Sequence, residues 1–225
     1  MSVVTSSEPL TVAGPRRHYT GLPEPRSRFS CPAKVLARVR ARKLADAPRL
    51  VIYSGTVPLF APVFDALNRS GTRYVVVGGV ATILHGYVRG TTDVDVVIDL
   101  DGPSARRAIQ ELEAIGYRPQ VPVRATDFAD GPTRETWARD RGMIVFSLYS
   151  DANPVVVDLF VRSPMDFEGL WTRSEVRDLE GGSVRVASLD DLIRIKRDAA
   201  RPQDLVDVTE LEAIRRDANQ GNKPS

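Results

Sequence analysis

The 225-residue chain is 42% hydrophobic and 27% charged, ordinary proportions for one sizeable domain with extra segments or for two small ones. Its single cysteine, Cys31, excludes an internal disulfide and any zinc site built from several thiolates, and no apolar run approaches the roughly 18–20 residues that span a membrane. The formal charge of +2 hides an asymmetry: residues 1–50 hold ten Lys/Arg against three Asp/Glu, a net of +7, so the remainder is −5. A basic arm on a mildly acidic body fits an anionic partner such as nucleic acid, or a solvated leader. The first thirty residues lack the apolar core of a secretory signal, so the expected location is cytoplasmic, with no membrane partner.

Residues 1–55 form a basic arm in this reading, unstructured over 1–32, where Ser, Pro, Gly and Arg show little periodicity. Within it, residues 33–47 have an incomplete apolar stripe, Val35, Leu36, Val39 and Leu44, for a basic amphipathic helix. That helix would touch an RNA backbone or pack on the body. A core follows over 56–187. The spacing Phe60, Val63, Phe64, Leu67 is helical and ends at Ser70-Gly71, with Pro62 expected in the first turn. Tyr74–Val77 reads as a buried strand running into Gly78-Gly79, and Val80–His85 as a short helix stopped by Gly86. Asp93–Ile98 reads as a strand, Pro103–Ile115 as a helix, and 119–140 as a long connection. Met143–Leu148, Val155–Val161 and Ser183–Val186 are three further strands.

Residues 188–225 are predicted to be C-terminal helices packing on that core. Ser188 stands three residues before Asp191, as in a capping box, and Leu189, Leu192, Ile193, Ala199 and Ala200 form an inward stripe. Pro202 opens another helix with Leu205, Val208, Leu211 and Ile214 on one side, and 219–225 are a polar tail. Strands mixed with helices in this way predict an α+β fold with a small mixed sheet.

Four features carry chemistry. Gly78-Gly79 lies between a strand and a helix start, where glycine permits close approach of a ligand and free amides attract phosphate, although most such dipeptides are simply turns. Asp93 and Asp95 point to one side of their strand, together with Val97. Two acids on so apolar a strand are either solvated at the turn or accompanied by a hard cation such as magnesium. Asp158 sits in the middle of Val155–Val161, a costly place unless the strand is an edge. If its strand neighbours that of Asp93, three carboxylates meet on one face, a two-metal arrangement for phosphoryl transfer. Lys196 falls in the middle of an apolar helix stripe, so it must snorkel outward or hold an anion, for which a triphosphate is suitable. His85 before Gly86 suits packing or capping better than catalysis, and Arg89 would contact a phosphate or pair with Asp93.

The order Gly78-Gly79, thirteen residues, Asp93-x-Asp95, then an acid in an apolar strand resembles the nucleotidyltransferase superfamily of DNA polymerase β type. Finer features are similar to its AbiEii/MenT toxin branch: Tyr74-Val-Val-Val-Gly-Gly-Val-Ala, His85-Gly, Arg89-Gly-Thr, Thr92-Asp-Val-Asp, and the run from Leu189 through Lys196 and Arg201 to Asp204 and Asp207. The resemblance spans roughly residues 60–215; residues 1–55 fall outside it. It implies a toxin of a toxin–antitoxin pair that adds NMP from an NTP to the 3′ end of tRNA, or to another RNA, and so blocks aminoacylation. It further implies two Mg2+ ions on Asp93, Asp95 and Asp158, with Asp158 helping to deprotonate the attacking hydroxyl. Gly78, Gly79 and Lys196 would hold the triphosphate, Thr92, Arg201, Asp204 and Asp207 would complete the nucleotide site, and an antitoxin would be the protein partner. Transfer to a small molecule such as an antibiotic, or a non-catalytic antitoxin-like module, are the rival expectations.

Overall fold

The computed structural model describes residues 57–179 and 182–221; the basic arm 1–55, with Cys31 and the helix expected over 33–47, lies outside them, as do residues 222–225. The described chain runs α1 (Val57–Arg69), β1 (Tyr74–Val77), α2 (Gly78–Leu84), β2 (Asp93–Ile98), α3 (Gly102–Ala114), β3 (Arg118–Pro119), a 3-10 turn (Ala125–Ala129), α4 (Gly131–Arg141), β4 (Val145–Tyr149), β5 (Val156–Phe160), α5 (Phe167–Arg173), β6 (Glu175–Leu179), β7 (Gly182–Val186), α6 (Leu189–Ala199) and α7 (Pro202–Gly221). This is the α+β architecture that the alternation predicts, a mixed sheet flanked by helices with a helical C-terminal part. None of the described helices is long and apolar enough to cross a membrane.

The seven strands lie in the order β3-β4-β5-β2-β1-β7-β6. β1, a run of one tyrosine and three valines, is buried throughout and sits between antiparallel β2 and parallel β7. β-branched side chains suit a strand covered on both faces. β2 pairs in parallel with β5, which pairs antiparallel with β4. The margins are a two-residue strand, β3, and the charge-bearing β6, both of the kind that discourages edge pairing. α2 packs on β1, β2 and α6, while α1 packs on α3 and β7.

Several expectations are corrected. Pro62 lies inside α1, which begins five residues before it. The stretch 119–140 is no bare connection: Asp130 caps α4 through the Thr133 amide at 2.9 Å, Pro132 stands in its first turn, and Gly142 closes it in the left-handed region at φ 61°. α4 has almost no apolar stripe, because only Arg134 and Trp137 are buried in it. α5 and β6 occupy a stretch with no predicted element. On α6, Ala199 and Ala200 are exposed rather than inward, since the helix ends there with Ala200 at φ 51°. The capping box is half formed: Ser188 Oγ accepts from the Asp191 amide, but the Asp191 carboxylate pairs with Arg173 at 2.8 Å. Residues 219–221, expected in the tail, complete α7.

Phe146 of β4 joins the outer helices to the sheet. Its fully buried ring stacks on Phe128 of the 3-10 turn at 5.2 Å and on Trp137 of α4 at 5.3 Å between centroids. Phe146→Ala should therefore lower the unfolding free energy by about 3–5 kcal/mol in urea titrations. Phe146→Leu, which keeps most of the volume, should cost clearly less. Equal, small effects from both would show that the stack carries little of the stability.

Candidate active site

The pairing register decides where the acids stand. Asp95 of β2 faces Val77 of β1 on one side and Asp158 of β5 on the other, so the Asp95 and Asp158 side chains leave the sheet on the same face. Asp93 lies two residues earlier on β2 and points the same way. One carboxylate oxygen from each of the three comes within 4.8 Å of the others. Sequence alternation alone placed Asp93 beside Asp95; the β2–β5 pairing adds Asp158.

Chain direction changes beside this cluster. Gly78 has φ +62°, and a Cβ on it would stand 1.8 Å from Asp95 Oδ2, so any side chain there collides with the carboxylate. The Gly79 amide lies beside Asp95 and favours its charged form. Thr91 Oγ1 donates to Asp93 Oδ1, and Ser147 of β4 stands directly opposite Asp158, where its hydroxyl favours the charged carboxylate. Thr92, the hydroxyl expected in the nucleotide site, is exposed, and its carbonyl accepts from the Val156 amide at 3.1 Å.

These acids are hard to ionise together. Burial, with Asp93 and Asp158 adding repulsion, pushes Asp95 up to about 6, although Arg201 and the Gly79 amide pull the other way. Asp158 is raised as well, first by burial and then by the Asp93 charge, against the Ser147 hydroxyl. Asp158 Oδ1 is buried without a hydrogen-bond partner. An unpartnered buried carboxylate oxygen facing two further carboxylates is a fit site for a hard divalent cation, which takes oxygen ligands.

Lys196 does not snorkel. It is buried, and its Nζ lies 2.7 Å from Asp207 Oδ2 and 3.4 Å from Asp204 Oδ1. The anions that it holds are thus carboxylates of α7, both buried. Asp207 also takes Gln203 Nε2 at 3.1 Å and Arg89 at 3.1 Å, so the carboxylate that Arg89 pairs with is Asp207 rather than Asp93, the alternative expected beside a phosphate contact. Arg201 reaches Asp204 at 2.6 Å while its side chain stays 72% exposed, and it feels Asp95 and Asp93 as well. Burial alone would raise Asp204, but the Arg201 hydrogen bond and the Lys196 charge hold it below the ordinary carboxylate range. The inward residues of α7 are therefore Asp204, Asp207, Val208 and Leu211, whereas Leu205, expected inside, is exposed. His85 Nε2 meets the Ala187 carbonyl at 2.8 Å, and burial lowers its pKa; it is a packing residue that ties α2 to the end of β7.

Site residues that sequence reasoning missed are Thr91 and Ser147. Thr91 was within reach, since it shares the strand parity of Asp93 and Asp95.

No protein-family model matches the chain, and no curated protein matches it. Among solved structures it is similar to the lincosamide antibiotic adenylyltransferase LnuA in its lincomycin-bound form, at 17% identity and TM-score 0.50, over 71% of this chain and 98% of that one. ANT(2")-Ia in complex with adenylyl-2"-tobramycin is similar at 13% identity and TM-score 0.46, over 73% and 91%. An antigenic nucleotidyltransferase-like protein from Paracoccidioides brasiliensis is similar at 17% and 0.44, over 69% and 74%. Likeness at this identity is one of fold alone: the chain has the mixed α+β fold of the lincosamide antibiotic adenylyltransferase.

The crowding of the acids has a measurable sign. Lifting Asp95 from the ordinary 3.8 to about 6 leaves the folded state fully favoured only below the ordinary range, and that contribution is lost as pH rises through about 6. Asp95→Asn removes the charge, so without divalent ions at pH 7.5 the variant should be more stable by up to about 3 kcal/mol. The gain should shrink as pH falls toward 4. Thermal unfolding in EDTA across that range measures it, and a difference independent of pH would contradict the electrostatic origin.

Proposed function

We propose that the protein is a metal-dependent nucleotidyltransferase that moves an NMP from an NTP onto an RNA acceptor, the tRNA 3′ end, as the toxin of a toxin–antitoxin pair. The observation that carries the enzymatic part is the cluster Asp93, Asp95 and Asp158, with its orphaned buried oxygen, standing against the Gly78-Gly79 turn. Asp93, Asp95 and Asp158 would hold two Mg2+ ions, which when bound neutralise phosphate charge and activate the acceptor hydroxyl.

The chain's own residues supply the rest. Valine-rich strands fix the acids rigidly, and Thr91 and Ser147 orient the carboxylates of Asp93 and Asp158. Asp158, whose Oδ1 has no partner within the protein, is the carboxylate assigned to take the proton of the attacking hydroxyl. The acceptor oxygen bonds to the α-phosphorus as the bond to pyrophosphate breaks. Arg201, largely exposed beside the acids and kept charged by Asp204, is the cation best placed for a triphosphate oxygen. Lys196 supports it from below by neutralising Asp204 and Asp207.

The RNA acceptor is supported by the +7 net charge of residues 1–50, which suits a polyanion, and by the resemblance of the motif series to the AbiEii/MenT branch. A cognate antitoxin is the corresponding partner. A small-molecule acceptor is the second reading, favoured by the likeness in fold to a lincosamide antibiotic adenylyltransferase.

Full-length protein incubated with Mg2+, each α-labelled NTP and total tRNA should label the RNA. Asp93→Ala should reduce labelling by more than the about 10–100-fold typical of removing an outer-shell partner. Label appearing on lincomycin but not RNA would replace the first reading with the second. No transfer to either acceptor would contradict both.

A further inference from the structure

Arg89, in the loop between α2 and β2, touches two parts of the site at once. Its Nη2 lies 3.1 Å from Oδ2 of Asp207, whose side chain is fully buried, and its Nη1 donates to the Gly90 carbonyl at 2.9 Å. The same Nη2 would stand only 2.8 Å from a Cβ placed on Gly79, so the guanidinium lies directly against the Gly-Gly turn. Its Nε is buried with no hydrogen-bond partner. An unmade buried donor is costly, so this arginine is held in a pose that does not satisfy its own hydrogen bonding.

The turn it presses on governs Asp95. Asp95 Oδ2 fills the space that a Cβ on Gly78 would need, so the backbone of the turn packs directly on that carboxylate. A continuous path thus runs from Asp207 of α7 through Arg89 and the Gly78-Gly79 turn to Asp95. We propose that Arg89 is a positioning residue that clamps the Gly78-Gly79 turn between α7 and β2 and thereby sets the Asp95 carboxylate for cation binding. The inference rests on the metal-site reading of the three acids.

Two effects of losing Arg89 have opposite signs. Removing a cation near three carboxylates strengthens their hold on a divalent ion by simple electrostatics. Loss of positioning weakens it. The free-ion signal of Mn2+ in electron paramagnetic resonance reads affinity directly, with no turnover needed. In full-length protein, Arg89→Ala should weaken Mn2+ binding about 10-fold or more, in the range of outer-shell substitutions at metal sites. Arg89→Gln should act in the same direction and decides the matter if the alanine variant fails to fold by circular dichroism. Arg69→Ala, at a distant exposed pair with Glu111, should leave affinity unchanged. Unchanged or tighter Mn2+ binding in the folded Arg89 variants overturns the inference while leaving the metal site standing. Failure of the wild-type protein to bind Mn2+ overturns both.

Discussion

Three carboxylates meet within 4.8 Å of one another, and the cost of keeping them charged there, burial first and mutual repulsion second, organises the structure around them. The sheet prevents the acids from moving apart: Val94, Val96 and Val157, between them in sequence, are buried to the last atom. The surroundings relieve the strain in part, through the Gly79 amide, the hydroxyls of Thr91 and Ser147 and the charge of Arg201. Relief is incomplete, because Asp95 stays near 6 and one Asp158 oxygen has no partner. Three carboxylates so arranged are a site that could coordinate a divalent cation.

The second concentration of buried charge solves the opposite problem. Lys196, Asp204 and Asp207 are all buried, and each is matched: Lys196 bridges both acids, Arg201 covers Asp204, and Arg89 and Gln203 complete Asp207. Removing one member of such a set leaves an unpaired buried charge, a heavier penalty than the set itself contributes to stability. The cluster joins α6, α7 and the α2–β2 loop, and Arg89 and Arg201 carry it toward the acids. Matched charges thus stand beside a cluster of like ones.

How far these features could be read in advance depended on the element. Tyr74–Val77 and Asp93–Ile98 match β1 and β2 end to end, because valine-rich runs, continuous in one and alternating with acids in the other, leave little choice. The shared side of Asp93 and Asp95 followed from alternation, and the same parity argument extends to Thr91. Asp158 and Ser147 could be placed only by strand pairing, since nothing local tells β5 to lie between β2 and β4. α4 escaped because its inward surface is one arginine and one tryptophan, too little for an apolar period. On α7 the apolar pattern held at Val208 and Leu211 but misled at Leu205, which faces solvent while buried Lys196 draws Asp204 and Asp207 inward. Electrostatic demand from a neighbouring helix overrode hydrophobic periodicity there.

The central claim is that the three carboxylates exist to hold divalent cations. Crystals soaked in Mn2+ and measured at a wavelength where manganese scatters anomalously test it most directly. An anomalous peak within coordination distance of Asp93, Asp95 and Asp158, absent from an Asp95→Asn crystal, is the expected result. Manganese elsewhere on the surface with none on these three side chains would contradict it.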